Sequence, residues 1–270
     1  MTDQQIIIEK ISEDVTMTPP IILTIAGSDS SGGAGIQADL KTIAAHNCYG
    51  TSVITALTAQ NTRGVTAVHT PPADFLAAQL RTTLSDFPPA AIKIGMLPNA
   101  DCVHVVAEVL AELPCPVVLD PVMVATSGAA LSESKAVQAM QRELFPRATL
   151  ITPNLREAEV LCDIEIKTAF DMALAAKVIS YPVLLKGGHF GGDESNDLLC
   201  FDENAAWLRV KRLPIPDTHG TGCTLSTAIA CNLGQGYDLI ESTKRAKAWL
   251  TGLLQEKPDF NVPNGPLMHK

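Results

Sequence analysis

Six short apolar runs mark about the first two thirds of the chain, most ending in a polar or glycine-bearing exit, with helical spacing between them. The runs are 21–26, 52–58, 91–96, 116–120, 149–152 and 182–186. Runs this short and this evenly apolar read as strands buried on both faces. The helical stretches between them are 36–45, 73–85, 100–113, 133–144, 154–162 and 168–179. Repeated β–α units of this kind imply a parallel sheet covered by helices on both sides. Toward the end the period changes. Residues 197–201 and 206–213, joined by Asp202-Glu203-Asn204, read as an antiparallel hairpin, and helices over 222–233 and 239–255 follow. No repeat, low-complexity tract or linker divides residues 19–270, so a single domain is expected there. Residues 1–18 carry Glu9, Glu13 and Asp14 and have no basic n-region; they are expected to form a loosely ordered extension, not a signal peptide.

In such a sheet ligands bind beyond the carboxyl ends of the strands. The exits therefore hold the candidates: Gly27 to Gly35, Gln60, Met96, Asp120 with Val122, Asn154 to Glu157, and Lys186-Gly187-Gly188-His189. Asp120 ends the apolar run Val117-Val118-Leu119, where a charge needs a partner or a metal ion. Asn154 and Glu157 have the spacing of a capping box, and a functional acid beside a metal-bound phosphate fits equally well. Lys186 fits either a snorkelling lysine or a phosphate contact. His46, His69, His104 and His269 have no clustered partners in the sequence. The first glycine loop matches neither G-x-x-x-x-G-K-[ST] nor G-x-G-x-x-G, which argues against a P-loop or a dinucleotide-binding fold.

The densest signal is His219-Gly220-Thr221-Gly222-Cys223-Thr224, followed by a small-residue helical run. A helix N-terminus offers unpaired N–H groups and partial positive charge, so the amides of Gly220, Thr221, Gly222 and Cys223 are expected to bind an anion. A thiol there is expected to have a lowered pKa. Formal net charge is −9 with no cluster of Lys or Arg, which argues against nucleic acid as a partner. Any phosphates must then be held by helix N-termini and a metal ion. No apolar run approaches the ~18 residues of a membrane span. The seven cysteines include no CxxC pair, which suits a reducing, cytoplasmic setting and offers no zinc spacing.

These residues carry a family resemblance. The stretch from Gly27 to Asp39, Thr55 to Thr62, Lys93-Ile94-Gly95-Met96-Leu97, Thr152-Pro153-Asn154-Leu155, Lys186 to His189 and Thr218 to Thr224 together resemble the hydroxymethylpyrimidine/phosphomethylpyrimidine kinases of thiamine biosynthesis. The resemblance implies a ribokinase-like α/β/α three-layer fold with a mostly parallel sheet. It implies ATP and Mg²⁺, and two successive phosphorylations of one pyrimidine. By that likeness Gln60 binds the aminopyrimidine, and Met96, Gly27, Asp29, Ala34 and Val122 line its pocket. Gly220, Gly222 and Cys223 are expected to be catalytic, Cys223 standing where sugar kinases of this fold use an aspartate. Lys186, Asn154, Thr221 and Glu157 are expected at the nucleotide, Asp120 and Glu157 at the metal. A homodimer is expected. The chain departs from the pattern at Ile215-Pro216-Asp217, where many members have Thr-Lys-Asn. A pyridoxal-type kinase and a non-catalytic pyrimidine-binding protein on the same fold are the rival readings.

Overall fold

The computed structural model describes residues 18–124, 128, 131–188, 193–215 and 219–269. Residues 1–17 of the N-terminal extension, His189 and the Pro216-Asp217 departure with Thr218 lie outside the described residues. The strands are β1 (Ile21–Asp29), β2 (Tyr49–Asn61), β3 (Gly64–His69), β4 (Ala91–Ile94), β5 (Val117–Leu119), β6 (Leu150–Ile151), β7 (Val183–Leu185), β8 (Asp197–Phe201) and β9 (Asn204–Leu208). They form one sheet in the order β3-β2-β1-β4-β5-β6-β7-β8-β9. Pairing is parallel from β2 through β7 and antiparallel for β3, β8 and β9.

The helices are α1 (Gly35–Ala45), α2 (Ala73–Asp86), α3 (Ala100–Leu110), α4 (Ser134–Ala139), α5 (Leu155–Cys162), α6 (Ala169–Ile179), α7 (Thr221–Gly234) and α8 (Leu239–Gln255). α4 runs on through a π-helical turn, Met140–Leu144. Alternate residues of β1 and of β4 to β8 feed two separate cores. Leu23, Ile25, Leu119 and Ile151 pack with α2, α3, α4 and α6 on one face. Ile22, Val118, Leu150 and Leu184 pack with α1, α7 and α8 on the other. The architecture is the three-layer α/β/α sandwich expected from the sequence.

Three local expectations are corrected. β2 begins at Tyr49 and runs to Asn61, because its end pairs with β3, a strand not expected from the sequence. The short turn between them is closed by the Asn61 side chain, which accepts from the Arg63 and Gly64 amides. The last strand starts at Asn204 and stops at Leu208, short of 213. Asp202, at φ 50°, completes a tight turn that brings Asn204 into the ladder, and beyond Leu208 Lys211 bridges Glu194.

α7 positions the site. Every residue from Thr224 to Asn232 is buried, so the helix is sandwiched between sheet and α8. Its small side chains permit that: a Cβ on Gly234 would stand 2.6 Å from Ile22 Cδ1. The first turn of α7 is thereby driven to the carboxyl edge of β1, β4 and β5.

Candidate active site

The carboxyl ends of the strands and the first turn of α7 enclose a cavity of about 740 Å³, and every candidate named from the sequence other than His189 lines it or borders it. The cavity has two differently built ends.

The first end is walled by the β1–α1 loop and β2. Asp29 organises that loop: its carboxylate accepts from Ser31 N and Oγ, Gly33 N, Ala34 N and His219 Nε2. Burial alone would raise this carboxyl, but the hydrogen bonds from His219 and Ser31 outweigh it and hold the pKa at about 2. Gly35 must be glycine, because its φ is +56° and a Cβ would lie 2.3 Å from Gly27 O. Across the loop, Met96 Sδ sits where a Cβ on Gly27 would be 3.0 Å away. Gln60 reaches from β2 to the buried His219, 159 residues distant in sequence. Val122 follows Asp120 in a tight turn, its N–H donating to Asp120 O.

The second end gathers charge. Lys186 Nζ lies 2.8 Å from Asp120 Oδ1, and that oxygen also accepts from Thr152 Oγ1. Asn154 and Glu157 do form a capping box at the start of α5. Glu157 is nevertheless buried beside Asp120 and Lys186. Burial pushes its carboxyl up to about 7, with Lys186 opposing the rise and Asp120 adding to it. The structure thus shows the cap and also puts the acid at the charged end. Gly222, in the first turn of α7, closes on the same group: a Cβ there would be 3.2 Å from Lys186 Nζ and 3.6 Å from Asp120 Oδ2. Gly220, at φ +86°, could carry no side chain, since a Cβ would lie 1.8 Å from Gly33 O. The amides of Thr221, Gly222 and Cys223 belong to this first turn and are not consumed by intrahelical bonds.

Cys223 departs from expectation. Burial pushes its thiol up to about 11; the Lys93 ammonium opposes that, and the Asp39 and Asp120 carboxylates add to it. The helix terminus does not prevail, because desolvation and two nearby negative charges disfavour a thiolate more than one helix end favours it.

The sequence reading gave no role to several groups that shape the cavity. Lys93 is fully buried in β4, 3.0 and 2.8 Å from the oxygens of Asp39, which also accept from Thr24 and Thr227. Burial opposes its charge, but Asp39 beside it raises the pKa above the usual lysine value. A lysine inside an apolar strand needs a buried acid, so its presence was a readable signal. Lys247 and Asp197 form a second such pair, and Asp197 also takes the Gly187 N–H. Next to them Val210, Leu213, Ile215, Leu250 and Leu254 give the charged end an apolar slot. Finally, the chain returns at its end: Pro266 bridges His219, and His269 Nε2 lies 2.9 Å from Thr224 Oγ1.

A family model described as phosphomethylpyrimidine kinase matches residues 29–268. A hydroxymethylpyrimidine/phosphomethylpyrimidine kinase of Synechococcus elongatus is 44% identical over 258 residues, covering 94% of this chain and 98% of that one. Among solved structures, a phosphomethylpyrimidine kinase from Clostridium difficile 630 is 40% identical with a TM-score of 0.77, covering 87% of this chain and 99% of the other. An ADP complex of Bacillus subtilis pyridoxal kinase is 37% identical with a TM-score of 0.85, covering 93% and 97%. With one charged and one hydrogen-bonding end in a single cavity, and with likeness over nearly its whole length, the chain belongs to the phosphomethylpyrimidine kinase family.

Proposed function

We propose that this enzyme transfers the γ-phosphoryl group of ATP to the hydroxymethyl oxygen of 4-amino-5-hydroxymethyl-2-methylpyrimidine, and then a second phosphoryl group to the resulting monophosphate, in thiamine biosynthesis. The observation that carries the reading is the cavity's division: a hydrogen-bonding end furnished with the Gln60 amide, and an end where α7 starts beside the Lys186–Asp120 pair. The pyrimidine occupies the first, against Gln60, Met96, Gly27, Ala34 and Val122. The triphosphate occupies the second, against Thr221, Gly222 and Lys186 and near Asn154, with the adenine in the apolar slot beside α8. Asp29 acts on the pyrimidine through the loop and His219, since its oxygens are taken by internal donors.

Among the described residues no three His, Cys, Asp or Glu side chains cluster as a metal cage. Mg²⁺ rarely uses one; it is commonly held by one or two carboxylates plus phosphates. Asp120 and Glu157, two buried acids facing one lysine, fit that pattern and would hold it. When bound, the ion would neutralise charge on the triphosphate. Glu157→Gln is expected to raise the Mg²⁺ concentration for half-maximal rate by roughly tenfold. If Glu157 only caps α5, the substitution lowers melting temperature and leaves the Mg²⁺ requirement where it was.

Gln60 offers a donor and an acceptor side by side, which matches a ring nitrogen beside an exocyclic amine. Gln60→Leu is expected to weaken pyrimidine binding by about 1–3 kcal/mol, roughly a five- to 150-fold rise in KM, from a lost hydrogen bond and an unpaired ring edge. ATP binding should hardly move, and an unchanged pyrimidine KM would place Gln60 outside the pocket. The alternative, favoured by the likeness to pyridoxal kinases, is a pyridoxal-type kinase. A product-resolved assay with both vitamins and Mg²⁺-ATP decides: a clear preference for pyridoxal overturns the pyrimidine assignment. No helix among the described residues is long and apolar enough to cross a membrane. We place the enzyme in the cytoplasm, without nucleic-acid partners, as a single kinase domain over 19–270. We assign it a homodimeric state, for which the open edge of β3 offers a surface.

A further inference from the structure

The Gln60 amide is held at both ends. The structure places its Nε2 3.1 Å from His219 Nε2 and its Oε1 3.1 Å from Thr58 Oγ1. The two ends of a primary amide are nearly identical in shape, and the hydrogen-bond partners decide which is oxygen and which is nitrogen. His219 Nε2 is also 2.8 Å from Asp29 Oδ2. That carboxylate already collects the Ser31, Gly33 and Ala34 amides and the Ser31 hydroxyl, so it is an acceptor only. His219 Nε2 must therefore carry a hydrogen, and an amide N–H facing it would set hydrogen against hydrogen; the amide is turned end for end, so that its oxygen shares the Nε2 hydrogen with Asp29. The other flank demands the same orientation. Thr58 spends its single hydrogen on Ser28 O at 2.9 Å, which leaves a lone pair for an amide N–H. The His219 ring cannot drift, since it fills the space where a Cβ on Gly33 would be 2.6 Å away, and its backbone bridges Pro266.

We infer that His219 and Thr58 are positioning residues that lock the Gln60 amide with its oxygen toward His219 and its NH₂ toward Thr58, and so determine which ring edge the cavity accepts. The inference rests on the reading of Gln60 as the ring-recognition residue. An amide has one lone pair and one N–H that lie side by side, and a second of each on its flanks. His219 and Thr58 take the flanks. The paired edge remains for the ligand, with its acceptor on the His219 side and its donor on the Thr58 side. It accepts a ring bearing an exocyclic amine beside an unprotonated ring nitrogen, with the amine toward His219. A 4-oxo pyrimidine presents the reverse pair, a carbonyl beside a ring N–H, and would set oxygen against oxygen and N–H against N–H. An unlocked amide could turn over and accept it.

The test compares kcat/KM for 4-amino- and 4-oxo-5-hydroxymethyl-2-methylpyrimidine in the intact enzyme. The wild type is expected to prefer the amine by roughly 10³ or more, the discrimination of a site built around buried polar groups. His219→Leu should be slower on the amine and should lose at least about a hundredfold of the preference, while His219→Gln, which keeps an N–H for Asp29, should retain most of it. Thr58→Val removes the other flank and should relax the preference in the same direction, which decides the matter if His219→Leu does not fold. A wild type that phosphorylates neither compound defeats the ring-recognition reading itself. A wild type active on both alike leaves that reading standing and overturns the lock. Full preference retained in both His219→Leu and Thr58→Val overturns it as well.

Discussion

Replacing Cys223 by alanine is expected to slow phosphorylation of the alcohol by roughly 10², the lower end of what a positioned proton acceptor contributes. Phosphorylation of the monophosphate should fall far less. The two nucleophiles differ in one proton. An alcohol must lose its hydrogen on the way to the ester. A phosphate monoester, with a second pKa of about 6, is already ionised at neutral pH and needs only alignment and charge neutralisation. The lower end of the range follows from the thiol's surroundings. With its pKa pushed up to about 11 by burial, about one thiol in 10⁴ is ionised at pH 7. A loose, metaphosphate-like transition state tolerates this, because the bond to the attacking oxygen is barely formed there and little is asked of the base.

The same placement gives a pH signature with a definite sign. A base whose ionised form is scarce makes the first half-reaction climb with pH, approaching tenfold per unit up to about pH 10, where the thiol nears its pKa. The alanine enzyme should lose that slope, and Cys223→Ser should behave like alanine because a hydroxyl ionises far higher still. The half-reactions are measured separately, each across pH 7 to 10. Equal losses in both, or a slope that survives in Cys223→Ala, would mean that Cys223 shapes the phosphate cradle without accepting a proton.

The sequence made the parallel strands legible because both of their faces are buried, which leaves nearly unbroken apolar runs such as 21–26 and 116–120. β3 escaped for the opposite reason: Gly64-Val65-Thr66-Ala67-Val68-His69 is an edge strand, mostly exposed, with no apolar signature to separate it from a loop. At the site, the candidates stood out wherever a glycine or charge ended a strand, and all of those described line or border one cavity. What stayed hidden was pairing. Lys93 finds Asp39 across 54 residues and Gln60 finds His219 across 159, and no spacing rule reports such distances. Yet each polar group inside an apolar stretch did announce that a partner had to exist. The thiol failed differently. A helix terminus is visible in sequence, whereas burial and the neighbouring Asp39 and Asp120 carboxylates, which outweigh it at Cys223, are not.

Gly222→Val is expected to cut kcat/KM for ATP by roughly 10³, at the upper end of the loss seen when one preorganised anion donor is removed. The glycine lies within the first turn of α7 at helical backbone angles, so no left-handed conformation requires it. Its role is space. A Cβ alone would come to 3.2 Å from Lys186 Nζ, the mobile end of a long side chain that can yield by tenths of an ångström. The two further methyls of valine cannot be absorbed that way; they project over the N–H groups and hold a phosphate off both those donors and Lys186. Folding should barely respond, since valine in a helix is intrinsically no worse than glycine. Gly220→Ala supplies the contrast. There φ is +86° and a Cβ would lie 1.8 Å from the Gly33 carbonyl oxygen, which is backbone and cannot step aside. That variant should lose thermal stability together with activity, because the loop that starts α7 can no longer seat against the β1–α1 loop. Melting temperature and steady-state kinetics on both proteins separate the two effects. A Gly222→Val enzyme that melts normally and turns over ATP at the wild-type rate would show that phosphate never approaches this turn of the helix.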